Sequence, residues 1–318
     1  MRKIPESWKN RESRNFERRQ KALDTQAEQS TSHKKIAQIT FDDLKRAAAQ
    51  GSAVFCKDIL GLEPTKYQIK FLKATKDHQF IVLVWCRQSG KSHIVAAFLF
   101  WVSVLNDGYQ TGIVGPSFRQ SKLIIRKVNA FIQKLPREIW SGGKALKTKV
   151  ALWNGSIIEA FPNNPDTIRG PTLNLVYADE FNFTKDDEEI YDAILFTLGT
   201  TNGQFVCSST PWSRDHIFYR ICNEKEFDDF KRIHITWREA LEPDGPLKKV
   251  ILAKIRRQFE TDPWRWRREM EAEWAEDEDS WLPTSLITDC TDPILEIREF
   301  GGDLRSFWAV DLGTSLPR

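Results

Sequence analysis

Gln79-Phe80-Ile81-Val82-Leu83-Val84-Trp85-Cys86-Arg87-Gln88-Ser89-Gly90-Lys91-Ser92 is the stretch on which the reading of this chain turns. Phe80–Trp85 is apolar and rich in β-branched residues, the pattern of a strand buried on both faces. A short polar turn ends in Gly90-Lys91-Ser92. His93–Leu105 is then almost wholly apolar, long enough for a helix, and stops at Asn106-Asp107-Gly108. Strand, glycine-containing turn and helix make the layout of a P-loop. In it, the backbone amides of Arg87, Gln88, Ser89 and Gly90 and the helix N-terminus cradle phosphates. Lys91 reaches the β- and γ-phosphates, and the Ser92 hydroxyl ligates Mg²⁺. The usual pattern opens on a glycine, and Trp85 stands at that position, so the strand-to-helix context carries the assignment.

Working outward, Leu173-Asn174-Leu175-Val176-Tyr177-Ala178-Asp179-Glu180 is a second strand that ends in two adjacent carboxylates. The C-terminal ends of parallel strands are where open α/β sheets bind ligands. Asp179 is placed to hold Mg²⁺, directly or through water, and Glu180 to orient and polarise an attacking water. Phe205–Ser208 reads as a third buried strand ending in Ser208-Ser209-Thr210-Pro211. Those hydroxyls either sense the phosphate site or form an ordinary capped turn into a helix over 213–222. Upstream, a turn at Pro64 opens a helix carrying Tyr67 and Gln68. The Gln68 amide offers a donor and an acceptor, which suits an adenine edge as well as it suits an exposed helix surface.

Between these strands, Thr111–Gly115 reads as a strand and Ser117–Leu135 as an amphipathic helix. Asn154-Gly155 between apolar runs signals a two-residue hairpin within 149–161. Further expected elements are helices over 41–50, 186–198, 247–259 and 263–274 and a strand over 233–237. Together they predict an α/β fold of the P-loop NTPase type: a central, mostly parallel sheet flanked by helices, with a helical N-terminal extension.

Composition supports a globular chain: 318 residues, 41% hydrophobic and 29% charged, with no apolar run long enough to span a membrane. The five cysteines are far apart and form no CxxC pair, which argues against a zinc or disulfide framework. Charge is unevenly spread. Residues 1–35 hold ten Lys/Arg and five Asp/Glu, a net +5 against +3 for the whole chain. Residues 1–40 are therefore expected to form a basic arm, either solvated or in contact with nucleic acid or a partner. Trp264, Arg265, Trp266, Arg267 and Arg268 are followed by seven acids and no bases over residues 269–279. This sign change marks 261–305 as a helical linker after an ATPase domain at 41–260, with the Trp/Arg cluster read as packing rather than as a stacking platform for bases. Phe307–Gly313 reads as a strand that delivers Asp311.

With these pieces placed, the sequence resembles the large terminase subunit of tailed bacteriophages. The resemblance rests on the order of four features: Arg87-Gln88-Ser89-Gly90-Lys91-Ser92 without a leading glycine; Arg169-Gly170 ahead of Asp179-Glu180; Ser209-Thr210-Pro211; and Ala309-Val310-Asp311-Leu312-Gly313. It implies ATP and Mg²⁺ as cofactors. Gln68 would read adenine, Lys91 and Ser92 would bind phosphate and Mg²⁺, and Asp179 and Glu180 would be the Walker B acid and catalytic base. Ser209, Thr210 and Pro211 would form the coupling motif, and Arg87 and Arg169 are the arginine-finger candidates. It also implies double-stranded DNA, a portal protein and a small terminase subunit as partners, a homo-oligomeric ring, and work in the host cytoplasm. Residues 306–318 would be the first strand of an RNase H-like nuclease. Asp311 would be a metal ligand only in a complete domain, so this chain is expected not to cut DNA. A superfamily-2-type helicase or translocase shares the P-loop and acid pair but needs a second RecA-like domain. A DNA-binding adaptor with a decayed P-loop is hard to reconcile with intact Lys91, Asp179 and Glu180.

Overall fold

The structure, a computed structural model, describes residues 39–136 and 144–274. Most of the basic arm, Cys290, the later part of the expected linker and the strand around Asp311 lie outside the described residues.

The described residues open with three helices, α1 (Phe41–Gln50), α2 (Ser52–Asp58) and α3 (Lys66–Asp77). Thr40 caps α1 and Thr65 caps α3, each reciprocally with the side chain three residues on, Asp43 and Gln68. Next come β1 (Phe80–Trp85), α4 (Lys91–Leu105), β2 (Gln110–Val114) and α5 (Phe118–Ile132). α4 is apolar all round because it is covered all round. It lies in one core with the N-terminal helices, where Phe55 meets Phe100 at 5.6 Å and the Trp101 indole donates to the Ala48 carbonyl at 2.9 Å.

The chain continues through β3 (Lys144–Ala145), β4 (Lys149–Ala151), β5 (Ile157–Ala160), α6 (Pro165–Arg169) and β6 (Leu175–Asp179). The described residues end with α7 (Asp187–Leu198), β7 (Gln204–Ser209), α8 (Ile217–Asn223), β8 (Phe230–Ile235), α9 (Trp237–Ala240), α10 (Lys249–Gln258), α11 (Pro263–Trp266) and a π-turn at Arg267–Glu271. The eight strands among the described residues form one sheet, in the order β3-β4-β5-β2-β6-β7-β1-β8. From β5 to β8 every pairing is parallel, and only the β3-β4-β5 edge is antiparallel. β7 therefore stands between β1, which leads into the phosphate turn, and β6, which delivers the acids. On the second face, α7 and α8 bury Ile190, Ile194, Phe218 and Ile221 against Val82, Val84, Phe205 and Cys207.

Three expectations need correction. Asn154-Gly155 does not close a two-residue hairpin. Residues 152–156 form a wider loop, with the Leu152 amide bonded to the Ser156 carbonyl and Gly155 at φ 79°. The strand expected over 233–237 is Phe230–Ile235. Thr236 forms a capping box with Glu239, so Trp237 begins a helix instead of ending the strand. The helix expected over 263–274 is regular only to Trp266. The backbone then widens into the π-turn, where the Glu269 carbonyl accepts from the Arg87 amide at 2.9 Å. Residues 261–274 thus pack into the same compact unit as the sheet, beyond the boundary expected at 260.

Candidate nucleotide site

β1 ends at Trp85, which is still in register with Ile235 of β8 and has its side chain buried against Tyr67 and Phe71. The usual leading glycine is dispensable here because position 85 is ordinary extended strand. The turn is made further on, by Gln88 at φ 62° and Gly90 at φ 77°. The hydroxyl of Tyr67 donates to the Ser89 carbonyl at 2.6 Å and the Ser89 hydroxyl to the Cys86 carbonyl at 2.8 Å, so both ends of the turn are tied down.

The turn wraps a cavity of about 330 Å³ lined by Cys86–His93, Lys127, Glu180 and Thr210. Across it, Lys91 Nζ lies 3.1 Å from Glu180 Oε1. The lysine is 8% exposed and the glutamate 28%. Ser209 Oγ donates to Glu180 Oε2 at 3.4 Å. Burial pushes the Glu180 carboxyl up, but the charge and hydrogen bond of Lys91, then Arg87 and the Thr210 amide, outweigh it, and the group sits below its usual range. Glu180 also adopts a left-handed backbone, φ 50° and ψ 45°, uncommon for a residue with a side chain. This turns the chain sharply after β6, so that adjacent acids face different surroundings.

Asp179 is the buried member of the pair. Its Oδ1 accepts from the Tyr177 hydroxyl at 2.6 Å and the Ser208 hydroxyl at 3.3 Å. Burial raises its carboxyl above the usual range, with nearby Lys91 opposing and Glu180 adding to the rise. A buried carboxylate under-supplied with positive charge suits a divalent cation. So does Thr210, whose hydroxyl is buried without a partner among the described residues while the residue lines the cavity. No cluster of three or more His, Cys, Asp or Glu that could hold a metal by itself occurs among the described residues. The donor set fits Mg²⁺ carried with phosphates, which needs one or two protein oxygens and keeps several waters.

The structure brings Arg87, Gln88, Ser89, Gly90, Lys91, Ser92, Glu180 and Thr210 together around one cavity, with Asp179 and Ser209 immediately behind it. Pro211 follows Thr210 but does not line the cavity. Three expected residues stand differently. Gln68 is 6% exposed, its carbonyl accepts from the Thr65 amide at 3.0 Å, and its Nε2 packs against the turn, 2.9 Å from where a Cβ on Gly90 would lie. Arg87 lines the cavity, yet its guanidinium pairs with Glu269 of the π-turn. Arg169 closes α6 rather than lying in an irregular turn, because Asn164 caps that helix with Pro165 at its start. It is 45% exposed, 3.6 Å from Asp166, and away from the cavity.

Sequence reasoning passed over Lys127, His93, Tyr177 and Glu269. Tyr177 was legible, since residues i and i+2 of a strand share a face. Lys127 was not: it reaches the cavity from α5, and no spacing rule links that helix to the turn.

A P-loop at the end of β1, acids at the end of β6 and an intervening β7 define a RecA-like P-loop nucleoside triphosphatase. Among families, the terminase large subunit, T4likevirus-type, N-terminal, matches residues 82–289, and the chain belongs to that family of phage DNA-packaging motor proteins. The fold is shared with solved large terminases. The ATPase domain of the Thermus phage P74-26 large terminase matches with a TM-score of 0.55 at 21% identity, over 69% of this chain and 97% of that one. The bacteriophage HK97 large terminase gives 0.58 at 16%, over 72% and 55%. A thermophilic-bacteriophage large terminase in complex with ADP gives 0.54 at 15%, over 67% and 54%. The chain thus spans about half the length of the last two. Among the described residues no helix is long and apolar enough to cross a membrane.

Proposed function

We propose that this chain binds ATP with Mg²⁺ in the cavity at the end of β1 and hydrolyses it to drive double-stranded DNA into a procapsid. The observation that supports this most is the Lys91–Glu180 contact across the cavity, at 3.1 Å, with Asp179 buried directly behind. In the nucleotide-free state Lys91 is neutralised by Glu180. A γ-phosphate entering the cavity competes for the lysine and frees the carboxylate. Glu180, held ionised by its surroundings, is then available to orient and polarise water, with Ser209 retaining its grip on the other oxygen. Mg²⁺, held by the Ser92 hydroxyl and the Asp179 carboxylate, would supply charge neutralisation on the phosphate oxygens. Arg87 would reach the phosphates on leaving Glu269, and Arg169, at an exposed helix end, would act on the ATP of a neighbouring subunit in a ring. Gln68 would meet the adenine after releasing its cap, and Ser209-Thr210-Pro211 on β7 would pass the state of the acid pair to the rest of the sheet. A portal protein and a small terminase subunit are the packaging partners this reading calls for, in the host cytoplasm. Phosphate release by the purified chain should be Mg²⁺-dependent and stimulated by double-stranded DNA. ATP hydrolysis indifferent to DNA would refute the coupling to translocation.

A further inference from the structure

Between Asp107 and Glu159 the sequence has one acid, Glu138, and nine Lys or Arg. Four of those nine, Arg119, Lys122, Arg126 and Lys134, recur along α5 and its C-terminal turn at spacings of three, four and eight residues. At about 100° per residue these spacings keep all four on one side of the helix. The other side carries Ile124, Ile125, Val128, Phe131 and Ile132 and is buried. The stripe is about 22 Å long at 1.5 Å per residue. Beside it lies the β3–β4 hairpin, fixed to the helix by the Asn129 amide donating to the Leu146 carbonyl at 3.0 Å. It adds Lys144 and Lys147, both exposed. None of these six side chains forms an ion pair with a described residue, whereas Lys149 next door pairs with Glu159 at 3.0 Å.

Nothing in the fold explains six uncompensated cations on one face. Arg119 sits in the first turn of α5, where a cation opposes the helix dipole, and that turn holds no acid. Like charges three or four residues apart on a helix also destabilise it. A surface that costs stability, is uniformly positive, and is extended rather than cupped is complementary to a polyanion of regular charge spacing.

We infer that the exposed face of α5 together with the β3–β4 hairpin is a contact surface for the phosphate backbone of double-stranded DNA, formed by Arg119, Lys122, Arg126, Lys134, Lys144 and Lys147. The stripe covers about six base pairs of rise. The side chains meet phosphates, not base edges, so binding is independent of sequence. The same helix carries Lys127 to the nucleotide cavity, which places the DNA contact and the phosphate site on one rigid element. This inference rests on the reading of the chain as a DNA motor, and its test separates the two.

The test measures the affinity of the full chain for a 30-base-pair duplex of arbitrary sequence over a salt series. It compares wild type, the triple variant Arg119→Gln/Lys122→Gln/Arg126→Gln, and a control with the same charge change elsewhere, Lys185→Gln/Lys225→Gln/Lys254→Gln. Each phosphate contact contributes about 0.9 to the slope of log K against log salt. The triple variant should therefore lose nearly 3 from the slope and on the order of 10²-fold in affinity at 0.1 M salt. The control should stay near wild type, and DNA-independent ATP turnover and melting temperature should be the same for all three. Equal losses in the triple variant and the control would overturn the surface while leaving the DNA-motor reading intact. A wild-type chain that does not bind the duplex, or that binds anionic vesicles in its place, would overturn both.

Discussion

Replacing Glu180 by Gln separates two jobs that one carboxylate performs. In the structure Glu180 holds Lys91 at 3.1 Å, and the lysine is 8% exposed, the glutamate 28%. Exposed ion pairs contribute about 0–1 kcal/mol, and breaking a fully buried one costs about 3–5 kcal/mol. With one partner buried and the other part-exposed, this pair lies between, at about 1–2 kcal/mol. A triphosphate that claims Lys91 must overcome that contact, and an amide at position 180 weakens it. Glu180→Gln should therefore bind a non-hydrolysable ATP analogue roughly 5- to 30-fold more tightly than wild type, by conversion at about 1.4 kcal/mol per tenfold. The gain should be smaller for ADP, which lacks the phosphate that competes for Lys91. The same change removes the group that polarises water, so turnover should fall by about 10²- to 10⁴-fold. Fluorescent-nucleotide titration and steady-state phosphate release report the two effects separately. Unchanged affinity together with wild-type turnover would refute both the competition for Lys91 and the assignment of the base.

Asp179→Asn should raise the melting temperature of the nucleotide-free chain at neutral pH while abolishing Mg²⁺-dependent turnover. An acid whose folded pKa is raised contributes stability below its unfolded pKa and loses it as pH rises through the folded value, so at neutral pH the ionised Asp179 costs stability. Relief of about 1 kcal/mol corresponds to a rise of about 2–4 °C for a domain of this size. A lower melting temperature would show the carboxylate to be stabilising. Glu180, lowered, behaves oppositely: its contribution is present above the unfolded pKa and is lost as pH falls through the folded one, so Glu180→Gln should flatten the acid limb of the stability profile. Arg169→Ala should bind ATP normally and lose turnover by on the order of 10³-fold if the arginine is a finger. Mixing it with Lys91→Ala should restore part of the activity, since an intact turn and an intact arginine then meet across some interfaces. No restoration in a demonstrably mixed assembly would place the finger within its own subunit or elsewhere.

How much of this was legible depends on the residue. β1, α4 and β6 announced themselves because parallel strands and a covered helix are apolar over their whole length, and their ends carry Gly90-Lys91-Ser92 and Asp179-Glu180. Order within the sheet was not readable: nothing local in Phe205–Ser208 says that it lies between the other two strands. Nor did sequence show that Arg87 would pair with Glu269, because that contact depends on a π-turn closing back on the sheet from the far end of the domain. The Trp/Arg cluster packs in part: Trp266 meets Trp237 at 5.9 Å and buried Arg268 lies 4.3 Å over Trp212, while Arg265 and Arg267 are exposed.

The central claim is that one cavity, built by the turn after β1 and the acids after β6, hydrolyses ATP. The most direct measurement is Mg²⁺-dependent phosphate release by the purified chain, wild type against Lys91→Ala, with folding of both checked by their melting curves. The account predicts turnover in wild type, and in Lys91→Ala a loss of turnover with an intact melting transition. Wild-type turnover in folded Lys91→Ala would contradict it, because among the described residues no other lysine is in contact with Glu180.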